Sequence, residues 1–243
     1  MDWTMNQYTS PGRTRTHEAR LGRLERTIDR SVLPGDTRSA LVFLRQALDS
    51  DDGLLLDAAD VALTWASEDK AALLEAFSVE ARSTYGVGVD EDDVYMIQRR
   101  QPEELSSLIE TEATQPGRQA EHLRIAWAKC FGLHPDLNEA CTEVVKAIEV
   151  AAKPVVTPDD PLATLGKMIS AVRDKPEEWE TDSEFDGSVQ TVLAMMDMVW
   201  NGQLRHGDED APLEVSQEAA EMTVQTAVLL VSWFRSGRVR LRS

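Results

Sequence analysis

The densest group of side chains able to do chemistry lies in Trp200-Asn-Gly-Gln-Leu-Arg-His-Gly207, a polar loop between two strongly apolar segments. It holds Asn201, Gln203, Arg205 and His206, with four residues between Asn201 and His206. An unperturbed imidazole titrates at about 6.5, so His206 can exchange protons near neutral pH. A purely structural use is equally available, with His206 capping a helix end and Gly207 stopping it as a left-handed residue. The local sequence leaves both open. Elsewhere the chain shows no phosphate-binding glycine loop, no zinc-ligand spacing and no serine elbow. Gly86-x-Gly88 lacks a third glycine and a following helix. Paired carboxylates are frequent, but in a chain this acidic they mark solvated faces. Neither a metal nor a cofactor is expected.

The loop needs a scaffold, and the composition allows one. The chain has 243 residues, 42% of them hydrophobic and 28% charged, which suits ordinary globular domains. Its longest apolar stretch, Thr226-Ala-Val-Leu-Leu-Val231, is too short to span a bilayer. No basic head followed by an apolar run opens the sequence, so no secretory signal is expected. Cys130 and Cys141 both occupy apolar positions of helical patterns, where free cysteine acts as a small hydrophobe. A cytoplasmic protein with no membrane association is the expectation.

Charge is uneven. Residues 1–48 hold eight Arg against five acids, and 235–243 hold four Arg against none. The middle therefore carries −25, more than the chain's net −18. Such a body repels nucleic acid as a whole, because phosphate affinity comes from Lys and Arg. Any RNA contact must be local. The basic ends read as solvated tails.

Periodicity predicts a mainly α protein. Residues 1–15 form a lead-in, and 16–82 a small helical N-terminal region. There, helices are expected at about 17–31 (Leu21, Leu24, Ile28), after Asp36 or Thr37, after Gly53, and from Ser67 to Phe77. Residues 83–117 hold a β-hairpin, Ser83–Val89 with Val94–Gln98, and a connecting helix from Pro102 to Gln115-Pro-Gly117. Residues 118–243 read as a helical bundle, with helices at 118–131, from the Asp136-x-x-Glu139 capping box to about 152, at 162–173, at 188–200 and at 216–235. Lys146 and Glu149 stand one turn apart and are expected to pair across the helix surface. Trp127 and Trp200 read as packing residues.

A family resemblance rests on Ala120-Glu-His-Leu-Arg-Ile-Ala-Trp127, Phe131-Gly-Leu-His-Pro-Asp136, Val145-Lys-Ala-Ile-Glu149, Ala163-Thr-Leu-Gly166 and Arg205-His206-Gly207. Over about 120 to 160 residues the chain resembles the HEPN-like C-terminal domain of bacterial abortive-infection proteins. The resemblance implies a helical bundle that dimerises with the loop after its penultimate long helix at the interface. It further implies a metal-independent ribonuclease of phage defence. His206 would serve as acid or base, Arg205 would steady phosphate charge, and Asn201 and Gln203 would support them. Active members carry an arginine where this chain has Trp200. A second reading is a non-catalytic dimeric scaffold or sensor that binds a partner protein in a defence or toxin–antitoxin system.

Overall fold

A computed structural model describes residues 23, 24, 46, 49–184, 187–202 and 215–242. The fold is mainly helical and divides into two compact units, up to Arg100 and from Gln101. The expected connector 83–117 is shared between them: the hairpin belongs to the first unit and the helix after Pro102 to the second. The lead-in and most of the two earliest expected helices lie outside the described residues, although Arg23, Leu24 and Gln46 are helical and Leu24 is buried.

In the first unit, α1 (Asp52–Leu63) opens with the Asp51 side chain accepting from the Leu54 amide, and α2 (Glu68–Glu80) follows. Strands β1 (Tyr85–Val89) and β2 (Tyr95–Arg99) pair antiparallel with Val87 opposite Ile97. Asp90 shapes the acidic turn, its carboxylate accepting from the Asp92 and Val94 amides at 2.9 Å each. A two-stranded ribbon has two open edges, whose N–H groups need acceptors. The helices supply them. Glu75 of α2 accepts from the Val87 amide at 2.8 Å, and Asp60 of α1 from the Ile97 amide at 2.6 Å.

The second unit holds α3 (Glu103–Ala113), α4 (Arg118–Phe131), α5 (Leu137–Val156), α6 (Leu165–Asp174), β3 (Trp179–Thr181), α7 (Ser188–Asn201), α8 (Gln217–Arg235) and β4 (Val239–Leu241). The bundle is arranged around α5, which meets α4, α6, α7 and α8. Its stripe Ala140, Cys141, Val144, Ile148 and Ala152 is buried, as are Leu123, Ala126, Trp127, Cys130 and Phe131 of α4. Trp127 stacks obliquely on Phe131, ring centroids 4.4 Å apart. Both thiols are free, and burial pushes Cys141 up to about 11. Among the described residues no helix is long and apolar enough to cross a membrane.

Two details differ from the sequence expectation. Only half of the capping box forms: Asp136 accepts from the Glu139 amide at 3.0 Å, while the Glu139 carboxylate turns to Lys129 at 2.8 Å. The C-terminal arginines do not form a solvated tail. Residues 239–241 are a strand on β3, Thr181 facing Val239 and Trp179 facing Leu241. Arg240 binds Glu180 at 2.8 Å and Asp182 at 2.5 Å. Opposite charges upstream turn the expected tail into an ordered edge.

One ion pair is buried on its acidic side. Arg235 of α8 grips Glu112 of α3 through Nε at 2.7 Å and Nη2 at 2.9 Å, and the Glu112 side chain is 1% exposed. Burial pushes Glu112 up, but the bonds from Arg235 and Ser232, with the Arg235 charge, more than offset this and hold it below its usual range. Removing the arginine strands a buried carboxylate. Arg235→Ala is therefore expected to cost about 3–5 kcal/mol at pH 7. Because the folded-state pKa is depressed, the stabilisation is whole above the unfolded carboxylate pKa of about 4.3 and lost as pH falls through the folded value. Urea titrations of wild type and Arg235→Ala should converge in acid; a constant gap would contradict the assignment.

Candidate functional site

The loop singled out by the sequence begins at the end of α7, and that end is positioned by a short relay of contacts. It begins at α6, whose N-cap residue, Thr164, makes no side-chain cap. Glu149, one helix back, does so instead: its carboxylate accepts from the Leu165 amide at 2.7 Å. A negative group at a helix N-terminus satisfies an open N–H and complements the helix dipole. Glu149 thus does not pair with Lys146. That lysine binds Glu143 at 2.5 Å, because the two lie three residues apart on one face.

The next residue of α6 is Gly166, and Trp200 of α7 fills the space over it. A methyl group there would lie 2.8 Å from Trp200 Cζ2. Trp200 is half-buried and packs against the main apolar cluster, as expected of a packing residue. Its neighbour Asn201 is exposed at the last position of α7. Gly202 follows, its amide donating to the Met198 carbonyl at 2.9 Å, close against the buried Thr223 of α8. The chain is described again at Val215, and Ser216 caps α8 by accepting from the Ala219 amide at 3.2 Å. Gln203, Arg205 and His206 lie outside the described residues. Asn201 is the one expected site residue whose position is described.

No family model, curated protein or solved structure matches this chain.

A second cluster was not singled out by sequence. His122 of α4 is buried, and its Nδ1 lies 2.6 Å from Oε2 of the buried Glu143 on α5. Burial pushes Glu143 up, yet the bonds from Lys146 and His122 and the Lys146 charge hold it below the usual carboxylate range. The His122 Nε2 meets no hydrogen-bond partner among the described residues. The cluster ties α4 to α5 in the bundle interior. The available signal was positional: His122 and Glu143 each stand one residue before a buried apolar position, Leu123 and Val144. Among the described residues no group of three or more His, Cys, Asp or Glu is placed to hold a metal ion.

The contact between Gly166 and Trp200 makes a measurable coupling. Gly166→Ala is expected to destabilise the protein by about 1–3 kcal/mol through overpacking. In a double-mutant cycle with Trp200→Ala the penalties should fall short of their sum, since removing the ring makes room for the methyl. Strict additivity in urea denaturation would show that the two residues do not meet.

Proposed function

We propose that this protein is a HEPN-like abortive-infection protein that acts as a metal-independent RNA endonuclease through His206. The observation that carries the reading is Asn201: it stands exposed where the chain leaves α7, at the head of a polar segment with four residues between it and His206, between two helices that contact each other. In the reaction His206 takes the proton of an RNA 2′-hydroxyl. The 2′-oxygen bonds to the adjoining phosphorus, the P–O5′ bond breaks, and a proton is returned to the leaving 5′-oxygen. The products are a 2′,3′-cyclic phosphate and a 5′-hydroxyl. Arg205 offsets the charge that gathers on the phosphate oxygens. It is the one Lys or Arg between Lys175 and Arg235, so nearby acids such as Asp208 and Asp210 have little else to balance them. A homodimer belongs to the same proposal. Met222 and Leu229 are seven residues apart on α8, on one stripe, and both are exposed.

One observation favours the alternative of a non-catalytic scaffold or sensor for a partner protein. Trp200, where active members of the family carry arginine, is spent on packing over Gly166. An arginine there would give up that packing.

Incubating the purified protein with total cellular RNA and with tRNA separates the two. Wild type should leave cyclic phosphate ends, and His206→Ala should lower the rate by about a hundred- to ten-thousandfold. Arg205→Ala should fall nearly as far, and added salt should suppress cleavage. Light scattering at tens of micromolar should give the mass of a dimer. Equal cleavage by all three proteins would overturn the reading. No cleavage by wild type, with growth arrest that survives His206→Ala, would select the scaffold.

A further inference from the structure

The second unit contains a cleft of about 550 Å³ at the opposite end of α7 from Asn201. It is bounded by the end of β3, the first turn of α7, the end of α8 and the start of β4. Its volume lies within the range of small-molecule sites, about 300–1,000 Å³. Along α7 the two ends are about 20 Å apart at 1.5 Å per residue. The cleft is thus separate from Asn201 and Gly202, the described start of the loop, and its chemistry stands independently of the ribonuclease reading.

Its lining is divided by chemistry. Trp233, Val192 and Val239 supply apolar surface, and Trp233 is half-buried with its side chain along the wall. The hydroxyls are arranged with capacity to spare. Thr181 Oγ1 and Ser188 Oγ lie 2.8 Å apart in a single hydrogen bond, which uses one of their two hydroxyl protons and leaves the other. Thr191 donates to the Gly187 carbonyl at 3.1 Å and keeps its lone pairs as acceptors. Asp182 also lines the cleft, but its carboxylate is bound by Arg240. Arg238 is different. It is exposed and, unlike Arg235 and Arg240, has no carboxylate partner among the described residues. Its guanidinium thus borders the cleft beside an aromatic wall with no carboxylate bound to it among the described residues. The first turn of α7 borders the same space, and Gly187 at its N-cap, φ 82°, provides no side-chain cap for the open amides.

We propose that this cleft binds a nucleoside monophosphate. The phosphate sits at Arg238, whose planar fork suits phosphate oxygens. The base lies against Trp233, and the Thr181–Ser188 hydroxyl pair donates its remaining proton while Thr191 accepts. Each part of the ligand answers a feature that the fold itself leaves unused: a charge, a ring and a spare proton.

Isothermal titration calorimetry on the full chain tests this with AMP, GMP, CMP and UMP, with the matching nucleosides, with inorganic phosphate and with octa-adenylate. At least one nucleotide should bind, and its nucleoside and inorganic phosphate should each bind about tenfold more weakly or worse. Arg238→Ala should weaken the nucleotide by a similar factor, and Ser188→Ala by less. Arg242→Ala, on the same edge but outside the lining, should leave affinity within about twofold. Arg238 makes no side-chain bond among the described residues, so its loss should leave the bundle intact, and circular dichroism checks that for each variant. No binding of any nucleotide at about 1 mM overturns the proposal. So does unchanged affinity in Arg238→Ala. Tighter binding of octa-adenylate, equally sensitive to Arg238→Ala, would assign the cleft to an RNA strand and overturn the free nucleotide.

Discussion

The hydrogen bond from the Leu165 amide to Glu149, 2.7 Å long, joins the central helix of the bundle to the next one in the chain. It sets where α6 begins, because nothing in Thr164 caps that helix. The start of α6 places Gly166, Gly166 receives Trp200 near the end of α7, and Arg173 of α6 holds both carboxylate oxygens of Asp197 on α7 at 2.7 and 2.8 Å. Asn201 and the loop beyond it inherit their starting point from this sequence of contacts. A charge-assisted bond of this kind contributes about 1.5–3 kcal/mol. That is a small share of a domain's gross interactions but a large share of its net stability. Glu149 and Gly166 are therefore chiefly architectural: they hold two helices in register and receive the end of a third.

Electrostatics organise the rest of the second unit. An acidic chain leaves few cations, and the structure spends most of its C-terminal ones on specific acids. Arg235 closes α8 onto α3 through Glu112, and Arg240 closes β4 onto the stretch around Glu180 and Asp182. Exposed pairs like the latter add little energy singly. Their value here lies in register, since they choose where a three-residue strand docks. Arg238 stands between these arginines without such an assignment, beside the cleft at the start of α7.

Much of the helical architecture was legible because long amphipathic segments announce themselves by period. The stripes on α4, α5, α7 and α8 fall where the apolar spacing puts them, and the hairpin at 85–99 follows its turn chemistry. What stayed hidden depends on partners distant in sequence. Strands β3 and β4 have three residues each and pair across about sixty positions, so neither carries a local signal. A run of arginines reads as solvated until its acids are known to lie beside it. Glu149 read as a partner for Lys146, one turn away, when its true partner is a backbone N–H sixteen residues on. His122 lay hidden beside an apolar stripe. At the candidate site the sequence marked the loop and the structure describes its first residues, Trp200 to Gly202.

Amide hydrogen exchange at Leu165 tests the central claim most directly, since that N–H reports the contact that caps the start of α6. In the intact protein the Leu165 amide should be strongly protected. In Glu149→Ala that protection should fall selectively, with the amides of α4 and α8 unchanged. Exchange of Leu165 at the rate of an unstructured amide in the wild-type chain, or protection that survives Glu149→Ala, would contradict the account.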